Sequence, residues 1–352
     1  MADRQALANA FLEETDWAGC ERTALPADAS TRSYARLRGG PSPALLMNAP
    51  PAEESAACPP DATPEERAAL GYNAEARLAG PSLSAFMDVA RWLRERGVHA
   101  PEVFAADREH GFAVIEDMGD RLLAVEAADP AAERAHYARS IKVLHALRDT
   151  GAEPGPIGAW TLQTYDETAL LAEARLLPEW YVPYATGEAL LDGADEAYEN
   201  AWREVLSQLG PCDTLVLRDF HAENILVLGE GVGVIDFQDA LVGSAAYDLA
   251  SLIEDARRDL APGHAQALYQ GYVERLSKGD RERFETDYAI LAAQRNAKIL
   301  GIFARLQVRD GKPRYGAFVP RVRAHFQTDL ARAPLAPVRA WAERYLPEVV
   351  RG

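Results

Sequence analysis

Apolar positions recur along this chain with two periods in turn, short alternating runs first and a helical spacing later. Leu7, Ala8, Ala10 and Phe11 share one side of a short amphipathic helix at the start. Residues 25–37 predict strand, turn and strand, with Asp28-Ala29-Ser30-Thr31-Arg32-Ser33 supplying the small and turn-forming residues. Residues 44–47 predict the next strand. Ser84 opens a helix on which Phe86, Val89, Ala90 and Leu93 share a face, and Gly97 stands where such a helix stops. Residues 103–105 and 112–115 predict two more strands. Strands gathered around one helix imply a small antiparallel β lobe that ends at Glu116-Asp117-Met118-Gly119.

From there the helical period dominates, over 131–147, 170–177, 194–209, 245–257 and 284–306. Short β-rich runs at 215–217, 225–228 and 232–235 interrupt it. The expected fold class is therefore α+β and bilobal, a β-rich lobe over residues 1–118 and a larger, mainly helical lobe over 119–352, with a hinge near 116–119. One stretch follows neither period. Residues 50–81, rich in Pro, Ala and Glu, predict a long exposed loop holding one short helix.

The interruptions carry the candidate chemistry. Arg218-Asp219 followed by Asn224 has the H-R-D-x-x-x-x-N spacing of a kinase catalytic loop, with Leu217 in place of the usual histidine. Phosphoryl transfer needs a carboxylate to orient and deprotonate the attacking hydroxyl, and oxygen ligands to hold magnesium on the phosphates. Alone, an Asp or Asn near a strand end is equally a turn former or a helix cap. Asp236 changes that balance, because Gly233-Val234-Ile235-Asp236-Phe237 delivers a carboxylate straight from an apolar strand. Such a group is costly to desolvate unless it is paired or holds a cation. Asp219 is thus the candidate base, and Asn224 and Asp236 the candidate magnesium ligands. Asp248, near a predicted helix start, either braces the catalytic loop or caps its helix. His221 reads as a loop-organising hydrogen-bond partner, and with Arg218 and Asp248 it forms the expected structural support.

Composition narrows the partners. A net charge of −17 over 352 residues disfavours nucleic acid and anionic lipid, which are held by clustered Lys and Arg. No apolar run approaches the ~20 residues needed to cross a bilayer, and the start lacks a basic region followed by an apolar core. A cytoplasmic protein with no protein partner is expected. Cys20, Cys58 and Cys212 have neither disulfide-ladder nor metal spacing and read as reduced thiols.

Taken together the motifs resemble the aminoglycoside phosphotransferase and choline kinase superfamily, over nearly the whole chain. Within it the resemblance is to the anomeric N-acetylmuramate/N-acetylglucosamine kinases of cell-wall recycling. It is carried by residues 28–36, 46–51, 115–119, 218–221 and 236–240, and most specifically by Ala293-Gln294-Arg295-Asn296-Ala297-Lys298 with Gly301-Ile302-Phe303-Ala304-Arg305, and by Gly311-Lys312-Pro313-Arg314-Tyr315. The resemblance implies a protein-kinase-like fold using ATP and Mg2+ on a small sugar. It also implies that Ser30, Thr31 and Arg32 lie in a phosphate-covering turn, and that Glu116 and Met118 flank the adenine. A plain β-hairpin turn is the alternative for residues 28–33.

One departure stands out. The family grips phosphates with a lysine on its third strand, and this chain has no lysine before Lys142, so Met47 or Asn48 falls there. Arg32 and Arg36 are the candidate replacements, since arginine suits bidentate phosphate contact. For the acceptor, Gln238 and Asp239 follow the metal ligand closely enough to reach a hydroxyl or acetamido group. Arg295, Lys298 and Arg305 either flank the acceptor or form a solvated, ion-paired helix face. An aminoglycoside, choline or another alcohol would use the same catalytic residues, and a non-catalytic nucleotide-binding module is the remaining alternative.

Overall fold

Five strands in the order β1-β2-β3-β5-β4 form one antiparallel sheet in the computed structural model, which describes residues 4–26, 32–51 and 57–351. The elements that build this part are α1 (Arg4–Glu13), β1 (Glu21–Ala24), β2 (Ser33–Arg38), β3 (Ala44–Asn48), α2 (Pro64–Leu70), α3 (Tyr72–Glu75), α4 (Leu83–Arg94), β4 (Val103–Asp107) and β5 (Phe112–Glu116). Then follow α5 (Leu123–Glu126), α6 (Pro130–Thr150), β6 (Gly155–Pro156), β7 (Thr161–Leu162), α7 (Glu167–Ala174), α8 (Val182–Thr186), α9 (Ala194–Leu206), β8 (Thr214–Val216), β9 (Ile225–Leu228), β10 (Gly231–Val234) and β11 (Leu241–Gly243). The chain ends in α10 (Ala246–Ile253), α11 (His264–Val273), α12 (Lys278–Val308), α13 (Val319–Leu330), α14 (Ala336–Tyr345) and α15 (Pro347–Arg351). The expected α+β class is what forms.

Contacts divide the chain into two compact units. The first runs through Glu126 and takes in Pro154–Gln163 and Glu223–Ala240; the second holds Ala127–Glu153, Thr164–Ala222 and Leu241 onward. The hairpin β9-β10 therefore belongs with the sheet, whereas its order along the chain had placed it in the helical part.

In the first unit, β5 is an unbroken apolar run because both of its faces are covered. Phe112, Ala113 and Val114 are wholly buried, and Phe11 of α1 stacks on Phe112 at 6.0 Å. That burial contributes on the order of 1.5–3 kcal/mol for each large apolar side chain. Helix α4 starts at a Ser82 cap, whose hydroxyl accepts from the Ala85 N–H, and buries Phe86, Val89 and Leu93.

The stretch 57–81 corrects the exposed-loop expectation. It folds into α2 and α3, with Thr63 and Glu66 forming a capping box. Arg67 is 1% exposed, and its Nε donates to the Ala74 carbonyl at 3.2 Å. Ala74, Ala76 and Ala79 are buried beside it. Alanines and an arginine stem fill this core, so no hydrophobic period marks it in the sequence.

The second unit is organised on α12, a 31-residue helix buried along residues 284–304. At Gly301 an added Cβ would lie 2.3 Å from the Leu176 backbone. A glycine lets α12 approach the π-helical turn Leu177–Tyr181 that closely. No helix among the described residues is long and apolar enough to cross a membrane.

Candidate active site

Strand β8, fully buried and paired with β11, leads into Leu217-Arg218-Asp219 in the second unit. Two carboxylates fix this segment. Asp248 accepts from the Leu217 N–H at 2.6 Å and from the Arg218 N–H at 3.0 Å. It is 2% exposed, and burial pushes its carboxyl up to about 7 despite those bonds. Each buried N–H would cost about 1–3 kcal/mol if left unpaired, so Asp248 braces the loop. Arg218 holds φ at +70°, a left-handed conformation that costs about 1–2 kcal/mol for a residue with a side chain.

What secures that strained residue is Glu173 on α7, 0% exposed, to which Arg218 donates. Lys298 Nζ reaches the same carboxylate at 2.7 Å, and Tyr165 and Gln294 also donate to it. Burial alone would raise the Glu173 carboxyl, yet Arg218 and Lys298 outweigh it and hold the group well below the usual range. Burial likewise works against the Lys298 cation, and Glu173 outweighs it there. Asp219 follows Arg218 directly, half-buried, and its carbonyl accepts from the His221 N–H at 3.0 Å.

His221 is buried, its Nε2 lying 3.3 Å from Nη1 of Arg257. Burial, and then the Arg257 charge, push its pKa down to about 4. The folded protein thus keeps a neutral imidazole where the unfolded chain titrates near 6.5. Between those values the unfolded state binds the extra proton. The stability His221 contributes is complete above 6.5 and is lost as pH falls toward 4. Relative to His221→Asn, the wild type should lose about 2 kcal/mol between roughly pH 7 and 5, read from urea midpoints of both proteins. Parallel curves would mean that the imidazole is not held neutral. Asp255, 1% exposed, closes the other end of the loop by accepting from the Ala222 N–H at 3.1 Å.

The chain enters the first unit at Glu223. Asn224 ends a short 3-10 turn before β9, and its carbonyl accepts from the Ile235 N–H at 3.0 Å, which closes the β9-β10 hairpin. At the mouth of that hairpin Asn224 Nδ2 and Asp236 Oδ2 stand 3.5 Å apart. Asp236 has φ +59°, so of the three non-glycine residues with positive φ among those described, one is a candidate ligand itself and another, Arg218, directly precedes the candidate base. Such strain persists only where the surroundings enforce it. Buried Phe237 stacks on Phe86 of α4 at 5.1 Å, and Gln238 donates to Asp236 Oδ1 at 3.0 Å. Contrary to the desolvation reading, Asp236 is exposed; the strand before it is buried and the carboxylate is not. An Asn amide and an exposed Asp carboxylate supply hard oxygen donors of the kind magnesium takes.

The nucleotide candidates all belong to the first unit. Ser30 and Thr31 lie outside the described residues. Arg32 donates from Nη2 to the Gly80 carbonyl at 2.9 Å. Arg36 is engaged elsewhere: it binds Asp117 at 2.6 Å and Asp120 at 2.7 Å. The hydrogen bonds to Asp120 and then Asp117 raise its pKa further, so Arg36 braces the segment 117–120. Glu116 takes Arg94 at 3.2 Å, His99 at 2.9 Å and the Glu102 N–H at 3.1 Å. Met118 packs so closely on Gly233 that a Cβ there would sit 2.8 Å from its sulfur. At the third-strand position Met47 is wholly buried, and Asn48 bonds Ser33 at 3.2 Å and accepts from Arg4.

The acceptor candidates divide. Asp239 accepts from the Ala79 N–H at 2.6 Å, and Gln238 is buried behind Asp236. Arg295 and Lys298 form no solvated face. Arg295 is 3% exposed and donates to the Glu254 carbonyl at 3.2 Å, while Lys298 belongs to the Glu173 network. Glu173 and Asp255 escaped the sequence reading, because their partners Arg218 and Ala222 lie 45 and 33 residues away along the chain.

Comparison with known proteins finds relatives by sequence and by fold. A family model described as phosphotransferase enzyme family matches residues 21–285. An N-acetylmuramate/N-acetylglucosamine kinase of Caulobacter vibrioides is 40% identical over 99% of this chain and 99% of its own length. One from Pseudomonas aeruginosa is 30% identical over 87% of this chain and 83% of its own. Among solved structures, an aminoglycoside phosphotransferase superposes with TM-score 0.58 at 12% identity, covering 93% of this chain and 99% of that one. A choline/ethanolamine kinase family protein from Mesorhizobium loti gives 0.54 at 15% identity, covering 99% and 100%. At these identities the structural likeness speaks for the fold.

Proposed function

This chain belongs to the phosphotransferase enzyme family, and on that ground we propose that it transfers the γ-phosphoryl group of ATP to the anomeric hydroxyl of N-acetylmuramate or N-acetylglucosamine. The observation that carries the substrate class is the full-length likeness, at 40% identity, to a kinase named for those sugars. ATP as donor is supported by a related aminoglycoside phosphotransferase, TM-score 0.56, solved with ADP and hygromycin B. Such a step salvages cell-wall amino sugars, and its ATP requirement places it in the cytoplasm.

Each residue then has a task. A sugar hydroxyl is far too weak an acid to ionise before reaction, so Asp219 orients it and takes its proton as the new O–P bond forms and the bond to the departing ADP breaks. Arg218, anchored on Glu173, and Asp248 hold Asp219 in place; neutral His221 adds no charge beside it. Asn224 and Asp236 are the residues that would hold magnesium, which would supply positive charge to offset the charge developing in the transfer. Arg32 supplies the cation that the absent strand lysine does not, and the backbone of residues 116–118 meets the adenine.

Incubation with Mg-ATP and a panel of sugars, aminoglycosides and choline, following ADP release, tests the reading. Release is expected with the two N-acetylated sugars. Release with choline or an aminoglycoside instead would replace the acceptor, and no release with any of them would refute the kinase assignment.

A further inference from the structure

We infer that Asp239 is a positioning residue, which ties the turn after the candidate metal ligand Asp236 to Arg32 through the backbone of Ala79 and Gly80. The inference rests on the kinase reading above. It gives the stretch 57–81 a task and removes Asp239 from the acceptor site.

The geometry is a short chain of contacts inside the first unit. Just beyond Asp236, Phe237-Gln238-Asp239-Ala240 forms a turn closed by the Ala240 N–H on the Phe237 carbonyl at 3.0 Å; Gln238 fixes the Asp236 carboxylate at 3.0 Å, and Asp239 accepts from the Ala79 N–H at 2.6 Å. The next residue's carbonyl, on Gly80, accepts from Arg32 at 2.9 Å. Both handles thus hold the same dipeptide, one by its donor and one by its acceptor. Ala79 is 0% exposed, so its N–H has no recourse to water if the carboxylate is removed. The dipeptide is itself held taut. Arg77 just before it has φ +52°, and Ser82 just after it caps α4, the helix whose Phe86 stacks on Phe237 of the metal turn.

In kinases with a strand lysine, that lysine's ion pair with a helix glutamate couples phosphate grip to helix position. Here the corresponding strand offers Met47 and Asn48, and α4 buries Asp88 against the Trp160 N–H at 2.9 Å. The link from Arg32 through Gly80 and Ala79 to Asp239 does equivalent work with backbone groups. Arg32 then meets phosphate in an orientation set by the residue three places beyond the metal ligand.

The test combines substitutions with a Mg-AMP-PNP titration. Asp239→Ala should weaken nucleotide binding about tenfold, the effect of losing one charge-assisted hydrogen bond, and leave the sugar KM unchanged. Asp239→Asn keeps an acceptor oxygen and should bind like the wild type. Arg32→Ala combined with Asp239→Ala should lose less than the product of the two single losses, because both act through one dipeptide. Fully multiplying effects, or a changed sugar KM with unchanged nucleotide affinity, would overturn the inference. Hydrogen exchange needs no change at Asp239: Mg-AMP-PNP should slow exchange over residues 76–82 in the wild type and fail to do so in Arg32→Ala. Equal slowing in both also overturns it. A wild type that binds no nucleotide would refute the kinase reading and this inference together, whereas normal binding by Asp239→Ala refutes this inference alone.

Discussion

Replacing Asp219 by alanine is expected to lower kcat by about 10²–10⁴-fold, the usual contribution of a positioned base, with Mg-ATP affinity nearly unchanged. The separation follows from where the groups lie. Asp219 is held in the second unit by Asp248 and the Glu173 network, while Asn224, Asp236, Arg32 and residues 116–118 belong to the first. Removing the Asp219 carboxylate leaves all of those proposed nucleotide groups in place. Turnover measured with saturating sugar, beside an AMP-PNP titration, reads both quantities. A variant that keeps near-normal kcat would remove Asp219 from the chemistry. One that loses nucleotide binding in equal measure would make it a metal ligand instead of a base.

The second large effect concerns stability. Glu173→Ala is expected to destabilise the fold by about 3–5 kcal/mol, because it leaves buried cations without their counter-charge. Arg218 and Glu173 are 1% and 0% exposed, and the Lys298 side chain is 12% exposed. Against a typical total of about 5–15 kcal/mol, the loss should be plain in urea unfolding. Turnover should fall as well, since Arg218 loses the anchor that maintains its left-handed backbone beside Asp219. A cost below about 1 kcal/mol, the usual value of an exposed pair, would show that the network is solvated and leaves the loop to Asp248 alone.

Much of this arrangement could be read along the chain, for a physical reason. Strands β3 and β5 and helices α4, α6 and α12 announce themselves because each buries one face or one continuous run, whereas β1 falls at Glu21–Ala24, ahead of the strand expected from residue 25, and its largely exposed side chains carry no such signal. Asp219, Asn224 and Asp236 were singled out because phosphoryl transfer asks for those residue types at that spacing. What stayed hidden depends on partners distant in sequence. Glu173 has no signature, since Arg218 lies 45 residues away. Lys298 looked like a candidate acceptor cation for the same reason. The small core of 57–81 is built of alanines and one arginine, which carry no period. Asp239 looked like a substrate group because adjacency to Asp236 was visible and Ala79, 160 residues off, was not.

The most direct measurement of the central claim is phosphorus NMR of the reaction of this protein with Mg-ATP and N-acetylmuramate. Transfer to the anomeric oxygen predicts a phosphomonoester resonance split by the single anomeric proton, growing in step with ADP. Inorganic phosphate in place of that signal, or a resonance coupled to the protons of another carbon, would contradict it.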